Sequence, residues 1–382
     1  MRHVVISADQ KLLRDTAERF LRDRYSFEHR EAIRRSTQGF DEAMWRSFTE
    51  LGWLGMPFPA ELGGFGGTML DVALLAEILG PSLPAEPYMP TVAAGVAIQF
   101  GGTANQRKAI IPEICEGKLR LALAFVERNT GYSFDTLATR AEIRDGAFLL
   151  SGEKSVVIGA PSAHAIVVSA RVDGDEGLSL FLVRADAPRL TMRSYATIDG
   201  QRAAEIHLDS VHVEATSLLG ERGRGLALLT RACDVGTVIL LGEAAGILQS
   251  ALDLTADYLN LRIQFDRKLA SFQALRHRIA RMYVGKEEVR ALCRQAAAAL
   301  ADDPESADTC EAISAAKVHV GRVGRRICEE AVQLHGAIAI SDEYIVGHFL
   351  KRMVAIDHMF GNANHHFDRY VSQARSLSPQ AP

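Results

Sequence analysis

The sequence predicts an α+β protein in three consecutive blocks: an N-terminal helical domain over residues 1–119, a central β-domain over 120–222 and a C-terminal helical bundle over 223–382. Three observations carry that prediction. Apolar residues recur at helical spacing up to about Lys118, short strand-like runs then alternate with Asp-Gly and Gly-rich breaks, and helical spacing returns from Leu226 onward. A chain of 382 residues, 48% of them hydrophobic, is too long for one small core and suits two or three packed sub-domains.

In the first block, Leu12, Leu13, Ala17, Phe20 and Leu21 recur three and four residues apart, as do Met44, Phe48 and Leu51. Between these helices the stretch 52–67 is so dense in glycine and proline that it reads as turns. A phosphate-cradling loop is the alternative there, but no lysine follows the glycines and no βαβ context surrounds them. In the middle block the runs 147–150, 165–170, 178–183 and 205–208 are short, apolar and evenly spaced, the pattern of a compact β-domain. In the third block the spacing predicts helices near 226–261, 272–300, 307–334, 342–357 and 364–376.

A formal charge of −4 and a pI near 6.3 give no basic footprint for nucleic acid. Five scattered cysteines without a Cys-x-x-Cys pair argue against a disulfide framework or a zinc site and fit buried thiols in a reducing cytosol. No signal-length apolar stretch opens the chain, and charges or glycines interrupt the longest apolar runs. A cytoplasmic protein without membrane insertion is expected. Adjacent His365 and His366 would point about 100° apart on a helix, with no carboxylate or cysteine at ligand spacing, so no metal site is expected of them or of His348.

Two blocks carry the functional signal. The first runs Arg262-Ile-Gln-Phe-Asp-Arg-Lys-Leu-Ala-Ser-Phe-Gln273, the second Gln333-Leu-His-Gly-Ala-Ile-Ala-Ile-Ser-Asp-Glu-Tyr344 followed by Leu350-Lys351-Arg352. A guanidinium offers a planar, permanently charged fork for a pyrophosphate, an aromatic ring packs on adenine, and a glutamine satisfies ribose or phosphate oxygens. Taken alone, the first block reads more readily as a charged inter-helix loop with one buried Phe, and a plain helix cap would explain Gly336; the pairing of the two blocks reverses that reading.

Together the blocks resemble the two C-terminal signatures of the acyl-CoA dehydrogenase flavoproteins, and the α, β, α order extends the resemblance over almost the whole chain. The resemblance implies an acyl-CoA dehydrogenase-like fold ending in a four-helix bundle, and FAD as cofactor. It assigns Arg262, Gln264, Phe265, Phe272 and Gln273 to the FAD of a neighbouring subunit, and Gln333, Gly336 and Ala337 to its adenosine half. Three departures follow. Ala337 and Ala339 stand where the family writes later glycines, and each methyl would crowd the cofactor or exclude left-handed backbone. The flavin loop, Phe125 to Ser133, keeps only Glu127 and a small-polar character, and the stretch after Lys154 offers Val156 and Ile158 for the aromatic and threonine that flank the flavin ring.

The third departure concerns the base. Desaturating an acyl-CoA removes the proton α to the thioester while a hydride leaves the β-carbon, so a carboxylate must face the flavin across the substrate. The family's usual glutamate position is Gly361, and the alternative helix-borne position aligns with Gly236. Glu243, two turns beyond Gly236, is the fallback base, against an ion-pair or packing role. Asp234 is a further carboxylate, and Asp342 and Glu343 read as first-turn helix acids. The run Val346-Gly-His-Phe-Leu-Lys-Arg352 with Phe360-Gly-Asn-Ala-Asn-His-His366 looks like the small-subunit branch of the family, typified by the pimeloyl-CoA dehydrogenase small subunit. That likeness implies a large acyl-CoA dehydrogenase subunit as partner supplying the base, an acyl-CoA substrate and an electron-transfer acceptor. The alternatives are a self-sufficient homo-oligomer, self-associated as a tetramer, with a non-standard base, and a degenerate structural or regulatory subunit.

Overall fold

The computed structural model describes residues 7–377 apart from residue 135. Its helices in chain order are α1 (Ala8–Arg24), α2 (Phe27–Arg35), α3 (Glu42–Glu50), α4 (Met69–Leu79), α5 (Tyr88–Gly101) and α6 (Ala104–Cys115), then, after the strands, α7 (Gly225–Leu261), α8 (Gln273–Asp302), α9 (Ala307–His319), α10 (Arg325–His335), α11 (Ile345–His358) and α12 (Ala363–Leu377). Local chemistry sets several starts. Ser7 and Gln10 form a reciprocal capping box on α1, Thr103 and Gln106 do the same on α6, and Asp41 caps α3.

The strands are β1 (Leu121–Ala124), β2 (Arg140–Arg144), β3 (Ala147–Ile158), β4 (Ala165–Val172), β5 (Leu178–Arg184), β6 (Leu190–Ala196), β7 (Arg202–Val213) and β8 (Leu218–Leu219), with a small hairpin of β9 (Ile263–Gln264) and β10 (Arg267–Lys268). The eight-stranded sheet runs β6-β7-β3-β2-β4-β5-β8, and β1 lies parallel to β4 off that path. Its core is a cluster around Phe148, Phe181, Ile166 and Val211. The register of β3 on β7 shifts between Lys154 and Val157, and this bulge leaves Ser155 and Val156 out of the ladder.

Two compact units result. One gathers Met1–Arg30, Met69–Pro84 and Thr237–Pro382, the other Glu31–Thr68 and Ala85–Gly236. Helices of the N-terminal helical block contribute to both units. Helix α5 packs on strand β1, whereas α4 packs on α1 and α8. Glycines let α4 meet the long helix α7 almost backbone to backbone. A Cβ at Gly242 would stand 2.4 Å from the Ala73 carbonyl oxygen, and one at Gly246 would overlap that of Glu77.

The expected helix over 307–334 is interrupted by a π-turn at Val320–Gly324, next to two glycines that lower helix propensity. Helix α7 is long and apolar enough to cross a membrane, yet 83% of its apolar stretch is buried in the protein. None of the five cysteines forms a disulfide, and Cys233, Cys293 and Cys328 are buried.

One buried pair anchors the β unit. Lys154, fully buried, donates to Glu127 Oε1 at 2.7 Å, and the same carboxylate accepts the Thr139 hydroxyl and the Ala138 and Thr139 amides. Burial pushes the Glu127 carboxyl up, but the Lys154 charge and these hydrogen bonds outweigh it and hold its pKa below the ordinary 4.5. A lowered folded pKa contributes stability that is complete above the unfolded value and lost as pH falls through the folded one. The chain is therefore expected to lose stability as pH drops below about 4.5, and Glu127→Gln to flatten that acid limb in thermal melts read by circular dichroism. An unchanged acid limb in the variant would remove the pair from this role.

Candidate cofactor and catalytic site

The first functional block turns out to be a hairpin. Helix α7 ends at Leu261 with the Arg262 amide donating to the Tyr258 carbonyl at 2.8 Å, and Ile263–Gln264 then pair antiparallel with Arg267–Lys268. The two turn residues, Phe265 and Asp266, both have left-handed backbones, φ 54° and 58°. That is the geometry of a tight two-residue hairpin, which ordinarily takes Asn-Gly, so Phe265 sits there at a cost of about 1–2 kcal/mol. The strain aims its ring outward at 83% exposure, beside Leu261 at 78% and Ile263 at 59%. Arg262, Gln264 and Gln273 are likewise exposed. Phe272 instead lies half-buried, with the Arg267 guanidinium 3.9 Å above its ring and the Phe265 ring 6.1 Å away.

The second block meets the first through an aromatic stack. The His335 ring lies 4.6 Å from Tyr258 and 5.3 Å from Tyr344, while its Nδ1 contacts the Ala331 carbonyl at 2.8 Å. Burial lowers the His335 pKa, so the ring is neutral and serves as a spacer. Arg262 lies one turn past Tyr258, and Gly336 directly follows His335, so the stack brings both predicted groups to one end of the helical unit. Gly336 closes α10 with φ 68°, and a Cβ there would meet nothing within 4 Å. Glycine is needed for the backbone turn, and the space beside it is open. Gln333 and Ala337 are exposed. Ala339 is buried, with its carbonyl against Gly347, and neither alanine has a left-handed backbone. The Ala339 methyl is packed inside the protein, whereas that of Ala337 lies on the exposed side.

The place of the usual base is sealed. Gly361 has φ 109°, and a Cβ on it would stand 2.5 Å from the His365 ring and 3.0 Å from that of His366. Lys317, fully buried, donates to the carbonyls of Ile356, Asp357, Met359 and Gly361 at 2.7–3.0 Å. His366 Nε2 contacts the Phe360 carbonyl at 3.1 Å, and burial, reinforced by the Lys317 charge, pushes its pKa down to about 2. The histidine pair is thus a neutral lid over Gly361.

Glu243 is committed elsewhere. Arg352 donates through Nε to Oε1 at 2.6 Å and through Nη2 to Oε2 at 2.7 Å, so both carboxylate oxygens of this buried residue are held in one fork. This is the ion-pair role weighed against catalysis from the sequence. His348 is buried as well, with Nδ1 3.2 Å from Arg30 and Nε2 3.0 Å from the Asp342 carbonyl. The Gly-His-Phe-Leu-Lys-Arg run therefore works as internal bracing. Asp342 and Glu343 precede α11 instead of starting it, and Asp342 bonds Lys351 at 2.8 Å.

In the β unit, Val156 is half-exposed on the bulge with φ 52°, a conformation that β-branched residues avoid. Its amide faces Glu205 at 3.4 Å, and Glu205 also accepts the Tyr195 hydroxyl at 2.9 Å. Sequence reasoning had no signal for Glu205, because its role depends on a cross-strand bulge. Ile158, which the resemblance sets beside the flavin ring, carries no side-chain hydrogen-bond donor. The residues present fit the adenosine–pyrophosphate half of FAD: an exposed guanidinium, an outward aromatic ring and open backbone at Gly336. They do not fit the isoalloxazine half.

Three family models match the chain: the acyl-CoA dehydrogenase N-terminal domain at residues 7–118, the middle domain at 122–211 and the C-terminal domain at 223–372. A probable acyl-CoA dehydrogenase, YngJ of Bacillus subtilis, is 28% identical over 91% of this chain and 92% of its own length. The caffeyl-CoA reductase-Etf complex subunit CarC of Acetobacterium woodii is 29% identical over 89% and 91%. Among solved structures, a variant of the Tcur3481-Tcur3483 steroid ACAD superposes with a TM-score of 0.88 at 29% identity, covering 97% of this chain and 99% of that one.

Proposed function

The chain belongs to the acyl-CoA dehydrogenase family of FAD-dependent oxidoreductases, and from that premise we propose that it is one subunit of a hetero-oligomer that desaturates an acyl-CoA thioester between its α and β carbons. In this reading the chain holds the adenosine–pyrophosphate half of an interfacial FAD, and a larger family partner contributes the flavin-ring contacts and the base. The observation that carries it is an asymmetry: Arg262, Phe265 and Gly336 present an open, outward surface, while Gly361 is covered by His365 and His366. Bound FAD would take the hydride from the β-carbon and pass electrons to an external acceptor. Arg262 would hold the pyrophosphate, Phe265 would pack on adenine, and Gln273 and Gln333 would satisfy ribose and phosphate oxygens. Relatives named as part of a reductase-Etf complex and as a two-chain assembly support the partner and the acceptor.

Arg262→Ala is the test. Arg262 is exposed and its side chain has no intramolecular role shown, so the fold should hold while FAD retention in the assembled oligomer falls by about 1.5–3 kcal/mol, the worth of a charge-assisted contact. Flavin absorbance after dialysis measures it, and Arg262→Lys should rescue only in part because lysine lacks the planar fork. Unchanged flavin occupancy would take Arg262 out of the site, and a colourless assembly of both chains would favour the structural-subunit reading.

A further inference from the structure

Away from the flavin-related surface, three arginines converge on one carboxylate. Glu77 of α4 is approached by Arg290 Nε at 3.2 Å, Arg14 Nη2 at 3.7 Å and Arg294 Nη2 at 3.7 Å, from α8 and α1. None of these three nitrogens has a hydrogen-bond partner, although each is shut off from solvent. They account for three of the eight such side-chain atoms among the described residues, so the unmet donors are concentrated at this one junction. Arg290, Arg294 and Glu77 line a cavity of about 40 Å³, walled on its other sides by Leu70, Leu74 and Ala297.

Buried donors without acceptors cost free energy and call for a missing partner. Three guanidinium groups and Lys286 stand against Glu77, Glu287 and Glu18, the last 3.5 Å from Arg14 Nη1, which leaves a local surplus of one positive charge. One water has only two acceptor lone pairs for the three guanidinium nitrogens, and its own two O–H donors would go to the Glu77 carboxylate in the same wall. A tetrahedral oxyanion offers acceptors only, in directions that suit forked N–H groups.

We propose that this cavity binds a small free oxyanion of the phosphate or sulfate class, which bridges Arg290 and Arg294 and ties α1, α4 and α8 together. The cavity is too small for a nucleotide, so the anion is not the end of a larger ligand. The site is independent of the flavin surface and stands or falls apart from it.

Thermal unfolding of the full chain, with inorganic phosphate titrated against chloride at constant ionic strength, tests this. A saturable rise in Tm is expected with phosphate and with sulfate, lost in Arg290→Gln and Arg294→Gln. Glu77→Gln removes a resident competing charge, so it should lower Tm without phosphate and tighten phosphate binding roughly tenfold. A shift that follows ionic strength alone, or one that persists unchanged in both arginine variants, overturns the site. Stabilisation by ADP that Arg290→Gln abolishes overturns the small-anion assignment. Should the arginine variants not fold, calorimetric titration of phosphate into the wild-type chain and into Glu77→Gln decides: one saturable site, tighter in the variant, supports it, and no saturable heat ends it.

Discussion

Gly361→Glu is expected to destabilise the chain by about 2–5 kcal/mol and to leave it without dehydrogenase activity of its own. The left-handed backbone at Gly361 costs any other residue about 1–2 kcal/mol, and forcing a side chain into the closed space under His365 and His366 adds about 1–3. The loop has little freedom to yield, because Lys317 grips four of its carbonyls from below. Val156 and Ile158, which the resemblance sets against the flavin ring, carry neither the aromatic ring nor the hydroxyl expected there, so a new carboxylate alone is not expected to restore activity. Denaturant titration gives the stability, and an acyl-CoA assay with an artificial electron acceptor gives the activity. Robust turnover by the single variant, isolated from any partner, would refute both the sealed loop and the division of labour built on it.

Glu243→Gln should cost about 3–5 kcal/mol, because it removes the charged carboxylate that holds the buried Arg352 guanidinium through both oxygens. Removing both charges, with Glu243→Leu and Arg352→Met, should recover most of that loss, since an apolar pair of similar volume carries no desolvation penalty. Turnover per folded assembly should stay within a few-fold of wild type in the complex with a large family subunit. A complex silenced by Glu243→Gln with FAD bound and assembly intact would move the base into this chain.

Much of the architecture was legible because it is written in local periodicity. The long apolar spacing of α7 and α8 and the runs of β3, β4, β5 and β7 announce themselves. Strand β2, Arg-Ala-Glu-Ile-Arg, did not, since four of its five residues are exposed and its place is fixed by β3 and β4 on either side. The π-turn at Val320–Gly324 likewise breaks a helix without breaking its apolar pattern.

At the candidate site, the sequence names the residues of both blocks and a glycine at position 361, and the structure adds which of them are exposed and which are covered. What could not be read was the choice of partners. Glu243 and Arg352 are 109 positions apart, and Lys154 finds Glu127 across the sheet. Such pairings are settled by packing, so a charged residue in an apolar run signals only that a partner exists. Ala339 shows the converse: the family pattern gives its position in the sequence, and only packing shows that its methyl group is buried.

The outward-strained hairpin has a consequence for how the protein must be made. Leu261, Ile263 and Phe265 stand bare at the tip of α7, in a segment whose every residue from 261 to 268 is exposed. An apolar patch with a short, unpaired strand edge is an invitation to indiscriminate sticking. In the assembly proposed above, a chain synthesised in excess of its companion would carry that patch into the crowded cell, where holding chaperones and proteases act on such surfaces. Its solubility and lifetime would then depend on balanced synthesis, and the yield of soluble protein would gauge how well the two supplies are matched.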